Sequence, residues 1–142
     1  MKIIHRFEDF HQKFKDNEFC LSFLDDLKWG NGFSCKKCNN HEYRTSNSIH
    51  HRRCLSCGYE ESVTANTVFH NIKFPLHKAF YLVYRIRHSD GKVTAVKLMI
   101  ETLMSIHTVS KFKNRILQQL HSQNVPVKPQ NLNPDNFLDE LV

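Results

Sequence analysis

Phe7, Phe10 and Phe14 recur at helical spacing, and Asp16-Asn17 then breaks and re-caps the chain. Glu18 to Lys28 predicts a second short helix, with Phe19, Leu21, Phe23, Leu24 and Leu27 on or near one face. Aromatics at this spacing are expected in the core and not in a ligand box. Trp29-Gly30-Asn31-Gly32-Phe33 is a turn-rich hinge. Beyond it the pattern shortens to strand length: Tyr43 to Thr45, Ile49 to Arg53 and Tyr59 to Val63 predict three short strands, the first two around Ser46-Asn47-Ser48. Asn66 to Phe74 reads as an extended connector.

Helical periodicity then returns. Pro75 suits the first position of a helix, with Leu76, Ala79, Phe80, Val83 and Ile86 as its buried stripe and Lys78, Arg85 and Arg87 outside. Ser89-Asp90-Gly91 ends it. Thr94 caps a helix to about Thr102 with Val96, Met99 and Ile100 as its core side; Ser105 caps the next, in which Val109, Phe112, Ile116 and Leu120 repeat at spacings of three and four. His107, Ser110, Lys111, Asn114 and Arg115 are left on the open face. Three helices, the last polar and basic outside, match a helix-turn-helix unit, although any amphipathic helical hairpin has the same stripe. Val125 to Gln130 reads as a linker. Asn133-Pro134-Asp135 is a helix start, and Phe137, Leu138, Leu141 and Val142 form either a docking segment or a frayed tail.

Cysteine placement adds chemistry to this outline. Cys35-Lys36-Lys37-Cys38 and Cys54-Leu55-Ser56-Cys57 are two C-x-x-C pairs fifteen residues apart, the spacing of a four-thiolate metal site. In a metal knuckle the backbone turns back toward the sulfurs, which needs a residue tolerant of positive φ; Asn39 and Gly58 stand at those places. One structural Zn²⁺ is the expected cofactor, and iron would use the same ligands. Disulfides have no oxidising context here, and a redox pair would be a single C-x-x-C near a βαβ pattern. Four protein ligands leave no open position for a catalytic water. Cys20, inside an apolar helical pattern, is expected to be an inert core thiol. Such a small sheet has little core, so metal binding should supply folding energy on the order of 10 kcal/mol.

The fold class expected is therefore α+β: a four-cysteine ribbon with a three-stranded antiparallel sheet, flanked by helices. Along the chain the divisions are 1–33, an N-terminal helical segment; 34–74, ribbon and connector; 75–123, the helix-turn-helix-like module; and 124–142, linker and acidic tail.

The 142 residues carry a formal net charge of +6, which falls to about +4 when four thiolates hold Zn²⁺. Its distribution matters more: residues 1–29 are net −1, 30–88 net +6, 89–123 net +3 and 124–142 net −2. A basic middle between acidic ends points to a polyanion, above all nucleic acid. The start, Met1 to Arg6, holds no apolar region of secretory length and no run reaches membrane-spanning length, so a cytoplasmic location is expected. Lys36, Lys37, Arg44, Arg52, Arg53, Lys73 and Lys78 are expected phosphate contacts, with His107, Ser110, Lys111, Asn114 and Arg115 facing bases or backbone. His41, His50 and His51 are expected as surface groups facing an anion.

The order of parts resembles the N-terminal half of the zinc-ribbon transposases of bacterial insertion sequences. Lys28-Trp29-Gly30-Asn31-Gly32-Phe33-Ser34-Cys35, Ser62 to His70 and Phe74-Pro75-Leu76 carry the resemblance, which spans roughly residues 7–120. It implies a helical segment, a four-cysteine ribbon and a helix-turn-helix, followed in the family by a catalytic domain of RNase H-like fold. Departures are Lys36 where the family usually has Pro, Asn66 and Leu103 where it has Gly, and Ser110 in place of an aromatic. The family's catalysis uses carboxylates that hold two divalent metals. After Arg115 the only acids are Asp135, Asp139 and Glu140, too few for such a site. The expectation is a zinc-dependent DNA-binding protein that is not an enzyme on its own. Its implied partners are double-stranded DNA such as terminal inverted repeats, and itself or a full-length transposase, with no membrane or small-molecule substrate, in the bacterial cytoplasm at the nucleoid. The alternatives are a protein-interaction module that oligomerises with or inhibits a full-length transposase, or the DNA-binding half of a split one.

Overall fold

The computed structural model describes the backbone from residue 7 and side chains from Phe10 onward. The readings made for Met1 to Arg6 and for the Phe7 side chain lie outside the described residues. In order the elements are α1 (Phe7–Lys13), α2 (Asn17–Trp29), β1 (Tyr43–Thr45), β2 (His51–Cys54), β3 (Glu60–Ser62), α3 (Leu76–His88), α4 (Ala95–Thr102) and α5 (Ile106–Ser122). The fold is α+β, with one antiparallel sheet in the order β1-β2-β3; Arg44 pairs with Arg53 and Arg52 with Glu61.

Capping sets the helix starts as the sequence predicts. Asp16 accepts from the Phe19 N–H at 2.8 Å, Thr94 from Lys97 and Ser105 from Thr108. Leu103, between α4 and α5, lies in the left-handed region at φ 59°, the conformation that favours glycine.

The centre of the molecule is α3, which is buried all round: Leu76 and every residue from Ala79 to Arg87 is inaccessible or nearly so. Phe10 of α1 and Phe14 just after it meet α3 beside Phe23, Phe80, Tyr84 and Phe137, with ring centroids 4.7 Å apart for Phe10–Phe14, 5.2 Å for Phe14–Phe80 and 5.7 Å for Phe80–Phe137. Offset and edge-on pairs of this kind add about 0.5–1.5 kcal/mol each beyond area burial.

Five local expectations change. Arg85 and Arg87 do not lie outside α3; both are buried because acceptors from other elements surround them. Arg85 holds Glu101 of α4 at 2.9 and 3.0 Å, and Tyr81 donates to the same carboxylate at 2.6 Å. On α2 the buried positions are Cys20, Leu24 and Trp29, while Phe19 and Leu27 reach solvent, because α2 meets α3 with the Cys20–Leu24 line. On α4 the buried line is Leu98 and Thr102, whose hydroxyl donates to the Leu98 carbonyl at 2.7 Å; Val96 and Ile100 face out. The connector is a chain of turns and not extended: Ala65, Thr67 and His70 N–H groups bond three residues back, with Asn66 and Asn71 at positive φ, burying Val68 and Phe69. Finally, the tail forms successive turns from Asn133 and not a regular helix, and it docks: Phe137, Leu138 and Leu141 are buried.

Candidate metal centre and basic face

The four expected ligands converge. The Sγ atoms of Cys35, Cys38, Cys54 and Cys57 all lie within 4.8 Å of one another, with Cys35–Cys57 at 3.6 Å and Cys38–Cys54 at 3.5 Å. A tetrahedral ion with Zn–S bonds of about 2.3 Å needs sulfurs about 3.8 Å apart, so the set fits zinc with little adjustment. The knuckles are formed as the turn residues require: Asn39 has φ 64° and Gly58 φ 77°, and the N–H groups of Lys37 and Ser56 point at Cys35 and Cys54 at 3.3 and 3.4 Å.

These amides bias the thiols. The N–H of Cys57, helped by that of Ser56, holds Cys54 down to about 6. Cys38 also receives an N–H, from Asn40, yet the hydrogen bond with Cys54 pushes it up to about 11. Burial alone would raise Cys35, but the N–H groups of Cys38 and Lys37 outweigh it and lower this thiol too. Thiolates are thus favoured at Cys35 and Cys54 before metal arrives, and zinc displaces the remaining protons. Cys20 stands apart; burial, then the nearby Asp16 carboxylate, push its thiol up to about 12, which suits an inert core residue.

The ribbon is clamped to α2 by charges that sequence reading either did not single out or placed at the surface. Lys28 pairs with the buried Glu61 at 2.6 Å and donates to the carbonyls of Ser62 and Ala65. His50, expected on the surface, is buried against Glu18 at 2.7 Å and Asp25 at 3.4 Å. Arg52, expected at phosphate, is buried with its guanidinium on Asp25 at 3.1 Å and over the rings of Trp29 and Tyr43 at 4.6 and 4.5 Å. Strand alternation carried the signal: Arg52 shares its face of β2 with the ligand Cys54, whereas His51 and Arg53 share the other.

The other expected contacts divide by position. Lys36, Lys37 and Arg44 are exposed on the ribbon, and Arg53 is half exposed beside Glu60 at 3.0 Å. Lys73 is exposed on the connector and Lys78 partly so on α3. On α5, with Val109, Phe112, Ile116 and Leu120 buried, His107, Lys111 and Asn114 are exposed and Ser110 is half-buried. Arg115 is drawn inward, donating to the carbonyls of Val68 and His70 at 3.2 and 2.8 Å. His41 bonds the Phe33 carbonyl and His51 the Ser48 hydroxyl.

Residues 15–60 match the family model of the transposase zinc-ribbon domain. The match runs from just before α2 to the first residue of β3, taking in both knuckles and α2 itself. No curated protein and no solved structure matches the chain. This segment is similar to the transposase zinc ribbon, and its four cysteines form the site of one structural zinc.

Proposed function

We propose that the chain is a zinc-dependent DNA-binding module, the recognition part of an insertion-sequence transposase or of a protein derived from one. The observation that carries this reading is α5. It follows α4 after a three-residue turn, buries one stripe, and leaves His107, Lys111 and Asn114 open, in a chain whose ribbon exposes Lys36, Lys37 and Arg44. The helix would enter the major groove and the ribbon lysines and arginines would lie along phosphates. Arg52 and Arg115 support the two surfaces from inside. Zinc supplies the covalent frame of the ribbon and takes no part in phosphodiester chemistry, which this reading leaves to a separate carboxylate domain.

A labelled duplex of about 30 base pairs tests it by fluorescence anisotropy. The zinc-loaded chain should bind at low salt, log affinity should fall with log salt by about 0.9 per phosphate contact, and chelation should remove binding. No binding by the zinc-loaded chain at low salt refutes the reading.

A protein-interaction role has one specific observation behind it. Val96, Ile100, Leu103 and Ile106 are all exposed around the α4–α5 turn, Ile100 at 65%. Sedimentation velocity that finds only monomer at every concentration excludes self-association through this strip.

A further inference from the structure

Between the connector and the first turns of α5 lies a cavity of about 200 Å³. Ile72, Lys73 and Phe74 form one wall; His107, Lys111 and Phe112 form the other. The geometry points to this cavity as a seat for a single phosphodiester of the nucleic-acid backbone together with its sugar. This inference deepens the DNA-binding reading and rests on it.

Charge, shape and rigidity support it separately. Lys73 and Lys111 come from elements far apart in the sequence, and neither makes an ion pair or hydrogen bond among the described residues through its side chain. Among the described residues no carboxylate lines the cavity to neutralise them. The Ser105 hydroxyl already accepts from the Thr108 N–H, and Arg115, which also lines the cavity, is engaged with the Val68 and His70 carbonyls, so among the described residues the lysine side chains are the free cations that supply the attraction. Apolar surface from Ile72 and Phe74 adjoins these cations, as a sugar beside its phosphate would require. The volume corresponds to about seven water molecules, enough for a phosphate and sugar and too small for a base pair.

Both walls are fixed in advance. Arg115 ties the connector to α5 through the Val68 and His70 carbonyls, and Phe74 meets Phe112 edge-on at 5.2 Å. A seat held open in this way binds without the cost of ordering a loop. It also makes the segment after the ribbon part of the interface, so that ribbon and helix are held in one register on the duplex.

The test uses the zinc-loaded chain with K73A, K111A and the double variant, checked for zinc content and circular dichroism. Both side chains are exposed, so all three variants are expected to fold. Two lysines sharing one phosphate predict that the double variant lowers the salt slope by about 0.9, so that between 50 and 200 mM salt the wild type loses about 3.5-fold more affinity than the variant. An unchanged slope overturns the seat while leaving DNA binding intact. A fall of about 1.8 overturns it too, because the lysines would then meet separate phosphates. If the wild type binds no duplex, the DNA reading itself fails, and thymidine 3′,5′-bisphosphate decides the seat by amide chemical shifts. Shifts at Lys73 and Lys111 with the bisphosphate and none with thymidine uphold it; no shift with either overturns it.

Discussion

Replacing Arg87 by methionine should release the C-terminal tail. Arg87 is 0% exposed and spends all five of its N–H donors on that tail. Nε donates to Val127 O at 2.8 Å; Nη1 donates to Phe137 O at 3.1 Å and Asp139 O at 2.7 Å; Nη2 reaches Pro126 O and a Glu140 carboxylate oxygen, both at 3.3 Å. Methionine fills the volume but leaves four carbonyls without a donor, each costing about 1–3 kcal/mol if it stays buried. The tail has a cheaper course, which is to peel into water and give up the burial of Phe137, Leu138 and Leu141, about 1.5–3 kcal/mol apiece before the chain entropy it regains. The net cost is set by that second route at about 3–5 kcal/mol, the range for breaking a buried charge cluster. For a domain of this size it lowers the melting temperature by roughly 10–15 °C. Urea unfolding in the presence of zinc measures the first effect; chymotrypsin cleavage after Phe137, which is buried while the tail stays docked, measures the second. Arg87→Lys should fall close to methionine, because one ammonium cannot reproduce the planar fork. A methionine variant within 1 kcal/mol of wild type, with Phe137 cleaved no faster, would refute the reasoning.

Two other substitutions probe the helical module. Leu103 is 88% exposed at φ 59°, so Leu103→Gly removes left-handed strain without losing packing and should stabilise the fold by about 1 kcal/mol in urea titrations; a loss of stability would count against strain at the turn. Glu101 is partly desolvated, which alone would raise its carboxyl, but Arg85 and Tyr81 outweigh this and hold it below the usual carboxylate range. A depressed carboxylate contributes stability that is present above its unfolded value and is lost as pH falls through the folded one. Glu101→Gln should therefore cost about 1–2 kcal/mol at neutral pH, and its curve should approach that of the wild type as pH falls below the usual carboxylate range; parallel curves would show that the Glu101 charge does not matter.

What the sequence made legible was local. Asn39 and Gly58 at the knuckles, Thr94 and Ser105 as caps, and the α5 stripe are each decided by a few neighbouring residues. Leu103 belongs with them: its place in a three-residue turn was readable, and the structure adds the positive φ. The failures share another cause. Arg87 reads as a solvated helix residue because its acceptors lie 39 to 53 positions downstream. Arg52 reads as a phosphate ligand because Asp25 and Trp29 belong to a different element. On α4, Leu98 and Val96 are equally apolar, and only the position of α5 chooses between them. A buried charge and a choice between two apolar faces are both settled by tertiary partners, which periodicity does not contain.

The role of α2 follows from these corrections. One side of the helix, Cys20 and Leu24, belongs to the helical core, while Asp25, Lys28 and Trp29 hold the ribbon. Zinc held by the four cysteines would fix the two knuckles to each other, and all four ligands belong to the ribbon, so the metal alone cannot orient the ribbon relative to α5. Orientation comes from Lys28 on Glu61 and from Arg52 between two rings above Asp25. The family match starting at residue 15, well before Cys35, has the same meaning: the ribbon includes the helix that carries it. A mutation of Lys28 should therefore leave the zinc bound and still disturb any surface that needs ribbon and α5 together. That separates holding the metal from presenting the basic face, two tasks performed by different residues of one small module.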